Sequence, residues 1–388
     1  MMYTRLGTFA AAAVLTTAAT QAPPPPPPPF APVTARGGLV FVAGILPATP
    51  APADFASQAV HVLDELKARL EREGTSLDRV VSTSVYLADA GDFAAMNAVW
   101  AKHWPASPPA RTTVVAKLPV AGARIQVSAV AAARGTERTI VLPKGWPAPS
   151  APLSHGVRAG DVLFLSGQVP RRGADATLVK GDIEAQTNAV FENAEAILAA
   201  AGLTFADVVS ARVFLTDGAV FDRMNAAYRA RFPASAPARA TVITPLVSPD
   251  FQIEITMVAA RSAERAALVT PNADGSPGRA NPNLSSAIRV GPRLFLSGML
   301  GVLPGNALDA ASQTAETLNR LDRTMTAAGF GWPEVGESIV YLTDMADAPE
   351  VLKVFAARSG GRLPAGTLVG TGLVSPEGRV EIMLTAGK

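Results

Sequence analysis

The 388-residue sequence contains no cysteine and only three histidines, His61, His103 and His155. The lack of cysteine excludes disulfides, thiol nucleophiles and thiolate metal sites. The histidines are not spaced as a ligand pair, so we expect neither a transition-metal site nor a metal cofactor. Aromatic residues make up only 6% of the chain, and the net charge is +2 with scattered basic residues. This composition gives little support to binding of nucleic acid or of a membrane surface.

Long apolar runs are absent except at the start of the chain. Arg5 precedes an apolar run that reaches Ala19, and small residues continue to Ala22. This pattern predicts a secretory signal peptide, too short to span a bilayer, although a frayed Ala-rich tail is the alternative. The run Pro23–Pro29 predicts a stiff spacer of about 22 Å in polyproline II geometry. We therefore expect a periplasmic or secreted protein that has no membrane contact once the signal is removed.

The rest of the chain repeats itself three times. Gln58, Gln186 and Gln313 are separated by steps of 128 and then 127 residues. Other landmarks keep the same steps: Gly74, Gly202 and Gly329; Val85-Tyr86-Leu87, Val213-Phe214-Leu215 and Val340-Tyr341-Leu342. A period of this length is that of a whole small domain rather than of a solenoid repeat.

Each repeat shows the same order of predicted elements, β-β-α-β-α-β-β, which indicates an α+β layer with both helices on one face of a sheet. Pro/Gly-rich joints separate the repeats. The predicted organisation is a signal peptide at 1–22, a polyproline spacer at 23–29, domains at 30–135, 152–262 and 283–388, and linkers at 136–151 and 263–282.

The second repeat resembles the RidA family (also called YjgF/UK114), the reactive-intermediate deaminases. The resemblance is carried by Ser166-Gly167-Gln168, Gln186, Ala201-Gly202-Leu203, Met224-Asn225, Pro237-Ala238-Arg239 and Ile253-Glu254-Ile255. It implies chorismate-mutase-like α+β domains, each with a mixed or antiparallel sheet. Family members are homotrimers with a small-molecule site between subunits, so the resemblance implies an intramolecular pseudo-trimer in a monomeric chain. It implies no cofactor.

Arginine and glutamate are the candidate functional residues. Arg111 and Arg239 follow the same Pro-Ala motif, and a planar guanidinium can hold a carboxylate through two hydrogen bonds. Glu254 and Glu381 occupy equivalent positions, where burial in a cleft would raise the pKa toward the range of general acid–base catalysis. The alternatives are surface arginines in weak ion pairs and ordinary solvated glutamates.

Within one repeat, the arginine and the glutamate are predicted to lie too far apart to act on one small substrate. We predict that Arg239 and Glu254 lie on the two arms of one hairpin with a turn near Ser248-Pro249, which places them roughly 13 Å apart. A small imino acid cannot contact both. An arginine should therefore meet the glutamate of a neighbouring repeat.

The differences between repeats follow the same division into an arginine side and a glutamate side. Polar groups on the arginine side occur in the first two repeats and are lost from the third: Asn97, Arg111 and Thr113; Asn225, Arg239 and Thr241; then Leu352, Gly366 and Leu368. Groups on the glutamate side occur in the last two repeats and are lost from the first: Ser166 and Glu254; Ser297 and Glu381; then Ala43 and Gln126.

A ring of three repeats can place the two degenerate halves together, which leaves two intact clefts. The opposite ring direction leaves one intact site, formed by Arg111 and Glu381, and independent drift after gene fusion remains the alternative to any sorting.

The resemblance favours hydrolysis of a small 2-imino or enamine acid to a 2-keto acid and ammonia at clefts between domains. Arginine would hold the substrate carboxylate, glutamate would position a water and relay its proton, and Ser166 or Ser297 would orient the substrate. The main alternative is a non-catalytic binder of small carboxylates in the same clefts. Ribonuclease activity, attributed to some relatives, is a third possibility, but the sequence shows no aromatic stacking platform or basic groove for it.

Overall fold

The structure is a computed structural model that describes residues 30–232, 235–261, 263–361 and 363–388. The predicted signal peptide and polyproline spacer lie outside these residues. Within the described ranges, no helix combines the length and the hydropathy needed to cross a membrane.

The elements follow the predicted order in each repeat. The first repeat contains β1 (Phe30–Ala31), β2 (Val33–Arg36), β3 (Leu39–Ile45), α1 (Phe55–Arg72), β4 (Val80–Leu87), α2 (Phe93–His103), β5 (Ala110–Val115) and β6 (Ile125–Ala132). The second contains β7 (Arg138–Val141), β8 (Gly156–Ala159), β9 (Val162–Leu165), α3 (Ile183–Ala200), β10 (Val208–Leu215), α4 (Phe221–Arg229), β11 (Ala238–Ile243) and β12 (Ile253–Ala260). The α+β fold class is therefore confirmed.

The third repeat contains β13 (Arg265–Leu268), β14 (Ala287–Val290), β15 (Arg293–Leu296), β16 (Met299–Leu300), α5 (Ala310–Ala327), β17 (Val335–Leu342), α6 (Ala348–Arg358), β18 (Leu363–Gly370), β19 (Gly372–Leu373) and β20 (Val380–Gly387). Two short 3-10 turns flank the central strand of each repeat, at Leu77–Arg79 and Ala90–Asp92, Phe205–Asp207 and Gly218–Val220, and Trp332–Glu334 and Met345–Asp347.

The long helix of each repeat is bounded by the same signals. An aspartate caps its N-terminus by accepting a main-chain N–H within the first turn: Asp54 from Ser57, Asp182 from Ala185 and Asp309 from Ser312. A glycine in the left-handed region follows its end: Gly74, Gly202 and Gly329, with φ of 72°, 69° and 74°. These are the residue types that such positions require.

The glutamine that marks the repeat fastens this helix to the final loop. The side-chain oxygens of Gln58, Gln186 and Gln313 each accept a main-chain N–H at 2.8 Å, from Arg124, Gln252 and Arg379. The recurring glutamines are thus explained by the scaffold.

The strands form three sheets, one centred on each repeat. The first has the order β2-β3-β6-β4-β5, the second β7-β8-β9-β12-β10-β11-β19 and the third β13-β14-β15-β20-β17-β18-β1, with β16 also pairing with β20. Strands β1 and β19 therefore join a sheet of another repeat. The two joints predicted as linkers each contain a strand, β7 or β13, that extends the sheet of the following repeat.

The predicted hairpin between β11 and β12 is wrong. Strand β10 lies between them, parallel to β11 and antiparallel to β12, because helix α4 carries the chain across to the far side of β10. Arg239 pairs in register with Ala211, and Glu254 with Phe214. Neighbours in register share a face, and faces alternate along a strand, so Arg239 and Glu254 lie on opposite faces of one sheet.

Both faces of the sheets are buried. Each repeat has its own apolar cluster between sheet and helices. Two further clusters draw residues from all three repeats, one around Phe41, Phe164 and Phe295 and the other around Tyr86, Phe214 and Tyr341. Burial on both faces explains why every residue of a strand such as β4 is shielded, including its polar residues Ser82, Thr83 and Ser84.

A small cavity of about 50 Å³ lies among the three sheets. Arg212 of the second repeat and Glu337 of the third line it, and Arg212 donates to Ser84 Oγ of the first at 2.9 Å. Burial raises the pKa of Glu337, and the charge of Arg212 opposes that rise. The positions of the other repeats that match Arg212 hold Ser84 and Ile339, so the second repeat alone supplies an arginine at this position.

Candidate functional site

Backbone hydrogen bonds bring the first and second repeats together at Arg111. Its N–H donates to Ser166 Oγ at 2.8 Å, and its carbonyl accepts the Gly167 N–H at 3.0 Å. The Ser166 hydroxyl in turn donates to the Ser154 carbonyl at 2.6 Å. Ser166 therefore holds the strand that carries Arg111. Its hydroxyl proton is used in the bond to the Ser154 carbonyl.

The Arg111 side chain is buried against helix α2, with 2% of its surface exposed. Its Nη2 donates to Asn97 Oδ1 at 2.7 Å, and its guanidinium carbon lies 5.7 Å from the ring centres of Phe93 and Trp100. Burial lowers its pKa to about 10, so the group stays charged at neutral pH. None of the described residues accepts a hydrogen bond from Nε.

Glu254 approaches this arginine from the second repeat. Its Oε1 accepts the Thr113 main-chain N–H at 3.3 Å, and the residue is 3% exposed. Burial raises its pKa to about 8, while the Thr113 N–H and the charges of Arg111 and Arg212 act in the opposite direction. We call Asn97, Arg111, Thr113, Ser166 and Glu254 the first cluster.

The carboxyl group of Glu254 lies directly against a glycine. A methyl group at Gly167 would lie 1.8 Å from Glu254 Oε1, and one at Gly298 would lie 1.8 Å from Glu381 Oε1. No side chain other than hydrogen fits at either position without moving the carboxyl group. The glycine of each Ser-Gly pair is thus part of the site, although sequence reasoning did not include it.

The second and third repeats form an equivalent arrangement. The Arg239 N–H donates to Ser297 Oγ at 2.7 Å, the Gly298 N–H donates to the Arg239 carbonyl at 3.1 Å, and the Ser297 hydroxyl donates to the Ser285 carbonyl. We call Asn225, Arg239, Thr241, Ser297 and Glu381 the second cluster.

The Arg239 guanidinium lies over aromatic rings, 4.6 Å from the centre of Tyr228 and 5.8 Å from that of Phe221. Burial lowers its pKa, and the charges of Tyr228 and Glu381 oppose this shift. Among the described residues, no acceptor bonds to its Nε or Nη1. The Asn225 Oδ1 likewise receives no hydrogen bond from them. The aromatic stripe of α4, interpreted from the sequence as core, also supports the guanidinium.

Glu381 has the same electrostatic character as Glu254. Burial raises its pKa to about 8, against the effects of the Thr241 main-chain N–H and of Arg239. In both clusters the threonine acts on the carboxyl group through its main chain. The Thr241 hydroxyl has no partner among the residues described.

The third junction, between the third repeat and the first, is filled by an aromatic ring. A methyl group at Gly366 would lie 2.1 Å from Phe30 Cδ1, and the Phe30 ring packs edge-on against Phe355 at 6.1 Å. Phe355 matches Trp100 and Tyr228, the rings under the two arginines. Phe30 thus stands where the other repeats place a guanidinium.

The two degenerate halves meet at this junction. A methyl group at Gly44 would lie 2.4 Å from Gln126 Nε2 of the first repeat and 3.3 Å from Thr367 Cγ2 of the third. Ala43 is buried beside them, and Leu352 packs against the core of the third repeat with Leu368. The structure therefore brings together Arg111 with Glu254 and Arg239 with Glu381, and Arg111 is not placed beside Glu381.

Comparison with known proteins gives the lineage of all three repeats. A family model described as Endoribonuclease L-PSP matches residues 20–133, 144–261 and 277–388. A RutC family protein from Pyrococcus horikoshii is 38% identical over 122 residues, which are 31% of this chain and 97% of that protein. The chain belongs to the RidA family.

One RidA-family relative carries a functional name. The 3-aminoacrylate deaminase RutC of Acinetobacter baylyi is 38% identical over 122 residues, covering 31% of this chain and 97% of its own length. A solved chorismatase structure covers 92% of this chain and 99% of its own at 18% identity, with a TM-score of 0.54. That similarity concerns the fold alone.

Proposed function

We propose that this chain hydrolyses small 2-imino or enamine acids at two clefts, each formed between neighbouring repeats of a ring closed within one chain. The observation that carries the proposal is the pairing of a buried arginine of one repeat with a buried glutamic acid of the next. The deaminase name of a RidA-family relative supports the reaction class.

The arginine supplies substrate recognition. A 2-imino acid carries a carboxylate beside its C=N bond, and the guanidinium N–H groups that lack protein acceptors can bind it. Because Arg111 and Arg239 are held by aromatic rings and by Ser-anchored strands, little conformational entropy is lost when the substrate binds.

The glutamic acid supplies proton transfer. With a pKa of about 8, it is mostly protonated at neutral pH and can donate its proton to the imine nitrogen, which makes the C2 carbon more electrophilic. The resulting carboxylate then accepts a proton from the water that attacks C2. The reprotonated glutamic acid then gives its proton to the carbinolamine nitrogen and accepts the hydroxyl proton as the C–N bond breaks, so the products are a 2-keto acid and ammonia. An enamine enters the same sequence after it takes a proton on carbon and becomes the imine.

The third junction takes no part in this reaction. Gln126 cannot exchange a proton in the required range, Gly366 offers no cation, and Phe30 occupies the space. A protein with two active clefts is therefore proposed, rather than three or one.

An assay with imines released by an amino-acid oxidase tests the proposal. Semicarbazide traps the free imine, so hydrolysis lowers semicarbazone formation. Arg111→Met and Arg239→Met should each remove the contribution of one cleft, and the double variant should lose the acceleration, while Arg134→Met at an exposed position should not. A double variant that retains the wild-type rate contradicts the proposal.

The non-catalytic alternative has its own result. If the wild type gives no acceleration but binds pyruvate, and both arginine variants weaken that binding, the clefts are carboxylate-binding sites only. Particle size tests the ring, since closure within one chain predicts a particle of about 40.0 kDa and a threefold larger particle contradicts it.

We also propose export, on the basis of the apolar run after Arg5. Detection of the chain in the periplasm or medium, cleaved near Ala22, supports this proposal, and an intact chain in the cytoplasm contradicts it.

A further inference from the structure

The small cavity among the three sheets receives side chains from one central strand of each repeat, β4, β10 and β17. Matched residues of these strands form successive layers: Ser82, Ser210 and Glu337; Ser84, Arg212 and Ile339; Tyr86, Phe214 and Tyr341. The first two layers line the cavity, and the third belongs to the apolar cluster shared by all repeats. Alternate residues of a strand share a face, so the three layers follow one another along the same line.

Arg212 brings a positive charge to this cavity. It donates from Nη2 to Ser84 Oγ at 2.9 Å, whereas its buried Nη1 has no acceptor among the described residues. Burial disfavours the charged form, but Tyr86, Tyr341 and Glu337 outweigh that effect and raise the pKa, so the guanidinium stays charged. A buried charged donor without a partner is costly, and the usual remedy in a folded protein is an ordered water or an ion.

Two tyrosine hydroxyls beside Arg212 also lack partners. Tyr86 and Tyr341 are 1% and 0% exposed, and neither hydroxyl is hydrogen-bonded within the described part of the chain. Burial raises the pKa of both, and Arg212 is near enough for its charge to oppose that rise. Even if one hydroxyl donated to the other, the second proton would still need an acceptor, as would Nη1. The shortage at this point is therefore one of acceptors.

Glu337 does not supply the missing acceptor. It is the other charged residue that lines the cavity, and its Oε2 accepts a hydrogen bond from Thr385 Oγ1 of its own repeat at 3.4 Å. Its hydrogen bonds within the described residues do not include Arg212. The carboxyl group thus lies across the cavity from a guanidinium group that still has a free donor.

The size of the cavity limits what can fill this place. Its volume of about 50 Å³ holds roughly three to five water molecules at ~10–15 Å³ each, or one chloride-sized ion with a water. Organic ligands occupy sites of about 300–1,000 Å³ and are too large. The charge of Arg212 disfavours a cation. The hydroxyl groups of Ser128 and Thr256, which also line the cavity, can donate to an anion.

We propose that this cavity binds a monovalent anion of chloride size, held by Arg212 Nη1 and the hydroxyl groups of Tyr86 and Tyr341. These three residues come from three different repeats, so the anion connects all of them and binds the folded chain only. It therefore stabilises the fold in proportion to its occupancy. No residue of the first or second cluster takes part, so the proposal does not depend on the proposed reaction.

Bromide, which replaces chloride and scatters anomalously, locates the site directly. Crystals of the wild-type chain soaked in sodium bromide should show an anomalous peak within hydrogen-bonding distance of Arg212 Nη1. The peak should be absent from Arg212→Met crystals. A cavity that holds only water in the bromide-soaked wild type overturns the proposal.

Thermal unfolding tests the same site in solution. Raising chloride from about 10 to about 200 mM, with gluconate keeping the ionic strength constant, should raise the Tm of the wild type by roughly 2 °C. Arg212→Met should lose this increase, and Arg134→Met, a matched change at an exposed position, should keep it. An equal response of all three chains to chloride contradicts a site at Arg212.

Glu337→Gln separates an anion site from a simple internal charge pair. This change removes the negative charge that competes with the anion, so the chloride concentration needed for half of the Tm increase should fall at least 3-fold. If Arg212 and Glu337 only compensate each other, Glu337→Gln lowers the Tm and no chain responds specifically to chloride. That outcome overturns the proposal, and it can be read even if Arg212→Met does not fold.

Discussion

Arg239 and Glu254 belong to the same repeat and lie on opposite faces of its sheet, in register with Ala211 and Phe214 of the strand between them. Arg239 faces helix α4, and Glu254 faces the neighbouring repeat, where it accepts the Thr113 N–H. The second repeat therefore presents an arginine in one direction and a carboxyl group in the other, whereas the first repeat keeps only Arg111 and the third only Glu381.

The pH dependence of activity follows from the raised pKa of the two glutamic acids. The protonated form starts the proposed reaction, and both pKa values lie at about 8. We expect kcat/KM to be level between pH 6 and 7 and to fall above about pH 8. A rate that instead rises through pH 8 would show that the ionised form acts first. Glu254→Gln combined with Glu381→Gln should abolish the pH-dependent activity.

Stability should depend on pH through the same groups. Their folded-state pKa of about 8 exceeds the ordinary value of 4.5, so the folded protein binds more protons than the unfolded chain between these values. Their contribution is fully present below about pH 4.5 and is lost as the pH rises to about 8. The Tm of Glu254→Gln should therefore increase relative to wild type as the pH rises from 5 to 8. A constant Tm difference contradicts this expectation.

The glycine beside each carboxyl group should be needed for function. Gly167→Ala places a methyl group 1.8 Å from Glu254 Oε1, so the carboxyl group must move. We expect this variant to lose the contribution of the first cluster in the imine assay and to keep that of the second. Gly218→Ala is the matched control, because its methyl group would lie 3.7 Å from the nearest atom, Ile243 Cδ1. Equal activity of the two variants would contradict the role given to Gly167.

Phe30 should stabilise the protein without affecting its chemistry. Phe30→Ala leaves a cavity between Gly366 and Phe355, and because the ring is only partly buried we expect a loss of about 2 kcal/mol in the free energy of unfolding. The rates of both clusters should not change. Chemical denaturation and the imine assay measure the two effects separately.

Gly366→Arg is the companion test at this junction. The new side chain overlaps the Phe30 ring, so the variant should be less stable than wild type, and adding Phe30→Ala should recover part of the loss. Losses that simply add in the double variant would show that the two side chains do not compete for the same space.

The sequence was sufficient for the features that repeat. The RidA assignment and the α+β class are confirmed. The ends of the long helices could be predicted because the preference for aspartate or glycine at a helix end depends on the local backbone. The domain boundaries and the site residues remain predictions. The sorting of arginine and glutamate between repeats was visible because three copies in one chain act as internal comparisons.

Features that depend on long-range pairing were harder to predict. The predicted hairpin between β11 and β12 was wrong. Two strands that follow one another in the chain need not pair with each other when a helix lets the first of them pair with an earlier strand. Phe30 follows a run of prolines, and only its parallel pairing with β18 reveals its position. Trp146 lies in a joint that was interpreted as a linker, where no alternation or periodicity marks a side chain that packs, as this one does against His155.

The presence of one arginine, Arg212, and one carboxyl group, Glu337, beside the same small cavity has a consequence for the gene. Three similar segments in one reading frame are prone to copy one another. If the middle segment overwrote its neighbours, three guanidinium groups would converge on a space of about 50 Å³ without a carboxylate among them. Such a protein would be less stable, because buried charges of one sign repel one another, so the pairing of one Arg212 with one Glu337 at this cavity disfavours homogenisation of the three repeats.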